Sequence, residues 1–272
     1  LTITGGHMDS PMWAPEVSIG GRTGVCDGPW SCRRAAREQI KRGVDLIKVN
    51  AAVSRYSTDY THTEPFHQEM TYEEMAAICE EAHWAGMTVA AHAHGGNGIT
   101  DGIRAGLDSI EHAPWLTDEQ IDMMAERGVF YVPTLTVHTF LKEFGQKQIG
   151  MSDAAWNWLL RVCDDRWDTL ARAHKAGVKI AAGTDAGFFV KHGDNAFELE
   201  DLVRGGFSPM QAIEAGTRVA AECMRLDREI GTVEAGKYAD LVLVDGDPLA
   251  DISILRAADR IVQVYKGGKT VK

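Results

Sequence analysis

A cationic surplus, paired cysteines and long apolar runs are all missing from this sequence of 272 residues. Lys and Arg total 28 against 39 Asp and Glu, a formal net charge of −11. Binding a phosphate backbone needs Lys and Arg in excess on one face, so nucleic acid is not an expected partner. No apolar run approaches the ~18 residues of a membrane span, so no membrane partner is expected either. Cysteine is odd in number (Cys26, Cys32, Cys79, Cys163, Cys223), and none lies in a CxxC pair. That suggests neither a disulfide framework nor a zinc finger, and leaves reduced thiols in a cytoplasmic enzyme. The opening, LTITGGH, has no initiator Met, signal peptide or helix cap. It reads as a chain that has lost its beginning, which makes targeting signals unreadable.

What is present is an alternation of short apolar runs with amphipathic helical stretches, the pattern of parallel α/β structure. Strands are expected at 1–4, 44–49, 87–92, 107–111, 129–134 and 178–183. Helices are expected at 30–42, 71–86, 97–105, 117–127 and 153–176. Thr71 and Glu74 form a capping box at the second helix, and Gly86, Gly106, Gly128 and Gly177 act as stops. A loop between residues 5 and 29, flanking Trp13 and Trp30, is long enough to be functional. The polar stretch 54–70, with Arg55, Tyr56, Tyr60 and Phe66, reads either as a lid or as a solvated insertion. After residue 208 the pattern changes to a helical SPMQAIEAGTRVAAECMRL, a strand at 239–244 and a hairpin about Gly267-Gly268. The expected fold is a (β/α)8 TIM-like barrel, visible from about its third strand onward, with the C-terminal part of a small β-sandwich. Six strand–helix units are countable where a closed barrel has eight, so two are expected to precede. The expected division is 1–220 for the barrel and 221–272 for the sandwich portion.

Chemistry concentrates where apolar runs stop. MTVAAH ends at His92, LDSIEH at His112 and VKIAAGTD at Asp185, while Lys48 closes VDLIKV in the same way. A (β/α) barrel carries its active site at the C-terminal ends of its strands. Neutral imidazole and carboxylate are the usual ligands of a catalytic divalent metal with a position open for water. Such a metal brings the pKa of that water to roughly 7. Lys48 has donors only, so unmodified it cannot ligate a metal. It reads as well as a lysine paired with a carboxylate at the barrel mouth. Strand alternation turns Glu111 away from His112, which makes Glu111 structural. His94 follows His92 by two residues and points the same way if the strand continues.

The segments ITGGH, VDLIKV, VAAHAHG, AGLDSIEHA, GVFYVPTL, AGVKIAAGTDAG and GTVEAGKYADLVLVDGDPL span nearly the whole chain. In this order they resemble the amidohydrolase superfamily, in its imidazolonepropionase-like and Xaa-Pro dipeptidase-like branch. The resemblance implies a distorted TIM barrel with a β-sandwich built from both chain ends. It places His92-Ala93-His94 at the strand-5 position, so the family's His-x-His of barrel strand 1 has no counterpart here.

By the same resemblance, His92 and His112 bind one metal. Asp185 binds the other and relays a proton from the attacking water to the leaving group. Lys48 as a CO2-derived carbamate bridges the two. One or two Zn are implied, with Co or Mn as alternatives. His94 is implied to polarise the scissile carbonyl or bind a carboxylate, and His7 to face substrate. His138, after YVPTLTV, is placed at the pocket wall. The implied reaction is hydrolysis of a C–N bond in a small molecule or dipeptide: an amide, N-acyl amino acid, carbamate or urea. A cyclic-amide hydrolase of imidazolonepropionase type, a deaminase or a non-catalytic truncated fragment are the rivals. Members of the branch often assemble, which implies a homo-oligomer.

Overall fold

Parallel strands buried on both faces need small or branched apolar residues along their whole length, and the centre of this chain supplies them. The computed structural model describes residues 1–9, 24–53, 67–187 and 190–272. These divide into two units: residues 1–131 with 150–178, and residues 132–149 with 179–272. The expectations placed on Trp13, Arg55, Tyr56, Tyr60 and Phe66, and so most of the 54–70 lid, fall outside the described residues.

The first unit opens with α1 (Pro29–Lys41), followed by β1 (Ile47–Val53) and the short β2 (His67–Gln68). Next come α2 (Tyr72–Trp84), β3 (Val89–Gly95), α3 (Asn97–Ala105), β4 (Ser109–Trp115) and α4 (Asp118–Arg127). β5 (Phe130–Val132) ends this run. The sheet order is β2-β1-β3-β4-β5, with β1, β3 and β4 parallel and β2 antiparallel on β1. β3 is the central strand, and its Val89, Ala91 and Ala93 are fully buried.

Local chemistry sets the helix ends. Thr71 accepts from the Glu74 amide while the Glu74 carboxylate accepts from the Thr71 amide, the expected capping box. Thr117 and Gln120 repeat the device on α4. Met75, Ile78, Cys79 and Ala82 form the buried stripe of α2 at helical spacing. Helix α3 sits close on β1 because Gly98 has no side chain: a Cβ there would lie 2.6 Å from the Ala51 carbonyl oxygen. Glu81 of α2, buried, accepts from Arg33 at 2.6 Å and Arg37 at 2.7 Å, fastening α1 to α2.

The second unit contains α5 (Leu135–Phe144), α6 (Gln146–Ile149), and, after α7 (Asp153–Lys175) of the first unit, α8 (Phe197–Arg204). α9 (Pro209–Ala215) and α10 (Arg218–Cys223) follow, then β6 (Leu241–Val244), β7 (Ile261–Lys266) and β8 (Lys269–Thr270) as an antiparallel sheet. Glu198 of α8 does for α5 what a local cap does elsewhere. Its buried carboxylate accepts from the Leu135 amide at 2.9 Å, the Thr136 amide at 2.8 Å and the Thr136 hydroxyl at 2.6 Å. Arg256 binds Asp194 and Glu200 and lies 4.1 Å over the Phe197 ring.

Four expected elements differ. Residues 1–4 make only a single parallel bridge, Thr2 to Val25, because the chain turns at Thr4 and Gly5. Residues 178–183 do not form a strand beyond a single bridge residue, Ile180. The Ala182 amide donates to Ala215, in the last turn of a helix, rather than to a neighbouring strand. The 129–134 strand stops at Val132, since Pro133 has no amide to donate and Thr134 turns left-handed (φ 48°) into α5. The single helical stretch expected after residue 208 is broken at Gly216-Thr217 into α9 and α10.

Candidate active site

Four histidines converge beside the C-terminal halves of β3 and β4. The His92 ring centroid lies 4.7 Å from that of His7, 4.6 Å from His94 and 4.5 Å from His112. The His7 and His92 rings are stacked, at 22° between planes. His94 also meets Trp158 of α7 edge-on at 5.2 Å. His94 and His112 are buried. His92 Nε2 is buried with no hydrogen-bond partner among the described residues. Burial is the first cause that pushes the His92 imidazole well below the usual histidine range, with the neighbouring histidines adding to it. A neutral ring with a free lone pair is what a metal ligand requires.

The backbone brings these rings together. His92 pairs in register with Glu111, and Ala93 with His112. Regular alternation would send His112 to the opposite face from His92. His112 (φ 69°) and Ala113 (φ 33°) adopt left-handed conformations, and the ring comes round to His92. Such a conformation costs a residue with a Cβ about 1–3 kcal/mol and clusters at functional sites. Tyr131 supports it: the buried phenol lies 3.1 Å from the carbonyl oxygens of both His112 and Ala113.

Glu111 is not idle. It shares a face with Lys48 and binds the Lys48 ammonium, while accepting from the Ser109 hydroxyl at 2.6 Å. Lys48 is therefore ion-paired here, with 46% of its side chain exposed. His7 is held by Glu69, whose carboxylate accepts from the His7 amide at 2.7 Å and from the Thr2 hydroxyl at 3.2 Å. Gly6 permits this, because a Cβ there would lie 2.7 Å from Glu69 Oε2.

Asp185 and His138 lie in the second unit. Asp185 is exposed and left-handed (φ 51°). His138 is not at a strand end: it is buried within α5, because the chain has already entered a helix at Leu135.

Sequence reasoning missed Tyr131, Glu69 and Trp158. Tyr131 falls within a run indistinguishable from any buried strand, and Trp158 within the apolar stripe of a helix. Glu69 ends the polar stretch before Thr71, where only its contact with the ITGGH segment reveals a role.

Among the described residues no group of three or more His, Cys, Asp or Glu side chains is arranged to hold a metal ion. The donor chemistry nevertheless fits one: two adjoining imidazoles, one with an orphaned buried nitrogen. No described helix is long and apolar enough to cross a membrane.

The chain is 36% identical over 251 residues to ochratoxinase of Aspergillus niger, covering 91% of this chain and 50% of the relative. It thus spans about half the length of the curated relative it matches. A crystal structure of a Xaa-Pro dipeptidase with bound methionine in its active site superposes with a TM-score of 0.89 at 35% identity, covering all of this chain and 66% of that one. A prolidase complexed with N-methylphosphonate-L-proline gives a TM-score of 0.85 at 29% identity, covering 100% of this chain and 67% of that one. The parallel sheet with its helices and the separate small sheet are those of a partial α/β barrel with an appended β-module. A family model for the amidohydrolase family matches residues 6–271, and the chain belongs to that family.

Proposed function

We propose that this protein hydrolyses a C–N bond of the amide class in a small molecule or dipeptide, with a divalent metal as cofactor. The observation that carries this is the convergence of His7, His92, His94 and His112, with His92 Nε2 buried and unpartnered. Ochratoxinase, Xaa-Pro dipeptidase and prolidase relatives support the amide class.

When bound, the metal supplies Lewis acidity and a nucleophilic water at neutral pH. His92 and His112 would hold it through neutral imidazoles, kept neutral at His92 by burial. Lys48 would join them as a carbamate, which requires its ammonium to leave Glu111, lose a proton to become the free amine, add CO2 and release a second proton. Asp185 would act as a further ligand and as the general base and then acid. His94 would orient and polarise the scissile carbonyl, and His7 and His138 would line the substrate site. Residues 1–220 form the catalytic barrel portion and 221–272 the sandwich portion on this reading, in a protein that assembles as a homo-oligomer.

The test is a hydrolysis panel of Xaa-Pro dipeptides, N-acyl amino acids and aryl amides, with protein supplied with zinc, cobalt or manganese. Metal-dependent turnover abolished in His92→Asn supports the proposal. An inactive panel with full-length, metal-loaded protein overturns it.

A further inference from the structure

Cys26 and Cys32 are six residues apart in a pattern that carries no redox signature, yet their sulfurs lie 3.0 Å from each other. Both are fully buried, at 1% and 0% exposure. Cys26 sits in the stretch before α1, and Cys32 in the first turn of that helix. The Cys32 thiol also lies 3.7 Å from the Cys26 carbonyl oxygen. We propose that Cys26 and Cys32 are a redox-convertible dithiol, closed to an intrachain disulfide by hydrogen peroxide.

The two thiols are not equivalent. The hydrogen bond from Cys32 favours the Cys26 thiolate and lowers its pKa, while Cys32 is raised as the donor. Cys26 is thus the attacking sulfur and Cys32 the resolving one. The Cys26 thiolate displaces hydroxide from peroxide and becomes a sulfenic acid. Cys32 then attacks that sulfur, forming the S–S bond and releasing water. In sum, two thiols and one peroxide give one disulfide and two waters. A small oxidant suits a buried pair better than a bulky disulfide does. Cys79 provides the contrast: burial raises its thiol to about 12, and it is not primed to react.

The bond would staple the stretch before α1 to the helix. That stretch braces the segment leading to His7: the Cys26 amide donates to Thr2 at 2.9 Å, and Asp27 accepts from the Thr4 amide at 3.0 Å and hydroxyl at 2.7 Å.

The experiment starts from full-length protein reduced with dithiothreitol and desalted. It is exposed to hydrogen peroxide, denatured in iodoacetamide and mapped by peptide mass spectrometry. The expected result is loss of alkylation at Cys26 and Cys32 together, with their shared peptide lighter by two hydrogens and alkylation restored by dithiothreitol. In Cys32→Ser, dimedone is expected to label Cys26 as a sulfenic acid. Cys26 and Cys32 both remaining alkylated after peroxide, or either pairing with another cysteine instead, overturns the proposal.

Discussion

Tyr131 holds the turn that aims His112: its hydroxyl sits 3.1 Å from the carbonyl oxygens of both His112 and Ala113. Tyr131→Phe leaves those buried carbonyls without that donor, and an unmet buried polar group costs about 1–3 kcal/mol. Urea denaturation is expected to show a loss of that size. The variant should also bind metal more weakly than wild type, because His112 loses its support. Unchanged stability and metal content would mean the left-handed turn stands without the phenol.

His92→Asn and His112→Asn test the ligands themselves. Substitutions of residues that merely orient a metal ligand cost 10–100-fold in affinity, so removing a ligand should cost at least about a hundredfold. Elemental mass spectrometry of the purified variants reads metal content, and circular dichroism shows whether the fold survives. For His92 the removed ring is also a buried group with an unsatisfied nitrogen. Metal-free protein should therefore tolerate the substitution better than it tolerates most buried changes.

Lys48 can be tested separately, since its ion pair with Glu111 is partly exposed. Such pairs contribute about 0–1 kcal/mol, so Lys48→Ala should change stability little. With bicarbonate present during purification, wild type should carry about two metals per chain if the carbamate bridges a binuclear site, and the variant fewer. Equal content in both would demote Lys48 to its ion pair with Glu111.

Stability should fall with rising pH across one window because of Glu198. Burial raises its carboxyl from 4.5 to about 7, against the opposing hydrogen bonds from Thr136 and Leu135. Between those values the folded protein binds a proton that the unfolded chain has already released. Linkage then makes unfolding progressively easier as pH rises through that range. Denaturation midpoints from pH 4 to 8 in wild type and Glu198→Gln should differ in slope, the variant lacking this contribution. Parallel curves would show that Glu198 does not titrate there.

Gly98→Ala places a Cβ 2.6 Å from the Ala51 carbonyl oxygen and 2.8 Å from the Ala52 Cβ. Backbone on one side and a buried strand on the other leave little room to yield. Overpacking of this kind costs about 1–3 kcal/mol. A thermal melt should show the loss, whereas Gly128→Ala, with open space at its Cβ, should show only the cost of its left-handed backbone.

Much of this was legible from residues alone. Capping at Thr71 and Thr117 and stops at Gly106 and Gly128 are local events, so the helices between them fall where the sequence puts them. His92 is readable because a histidine closing an apolar run is chemically conspicuous. Backbone irregularity was not legible. Nothing in SIEHAPW announces that His112 and Ala113 go left-handed, so alternation alone separates His112 from His92 and leaves Glu111 without a task. Nor does YVPTLTVH show that Thr134 starts a helix, because the cap that permits it, Glu198, is 62 residues away from Thr136. The Cys26–Cys32 approach is equally silent, since its spacing matches no established pairing motif.

The left-handed break within β4, at His112 and Ala113, bears on how this centre could be transplanted. A designer copying it onto another scaffold would be tempted to graft histidine identities alone. On a straight strand the counterpart of His112 would point to the opposite layer from the counterpart of His92, and the two rings would never meet. The portable component is the reversed backbone together with the phenol that braces it, and the imidazole is the part most easily supplied.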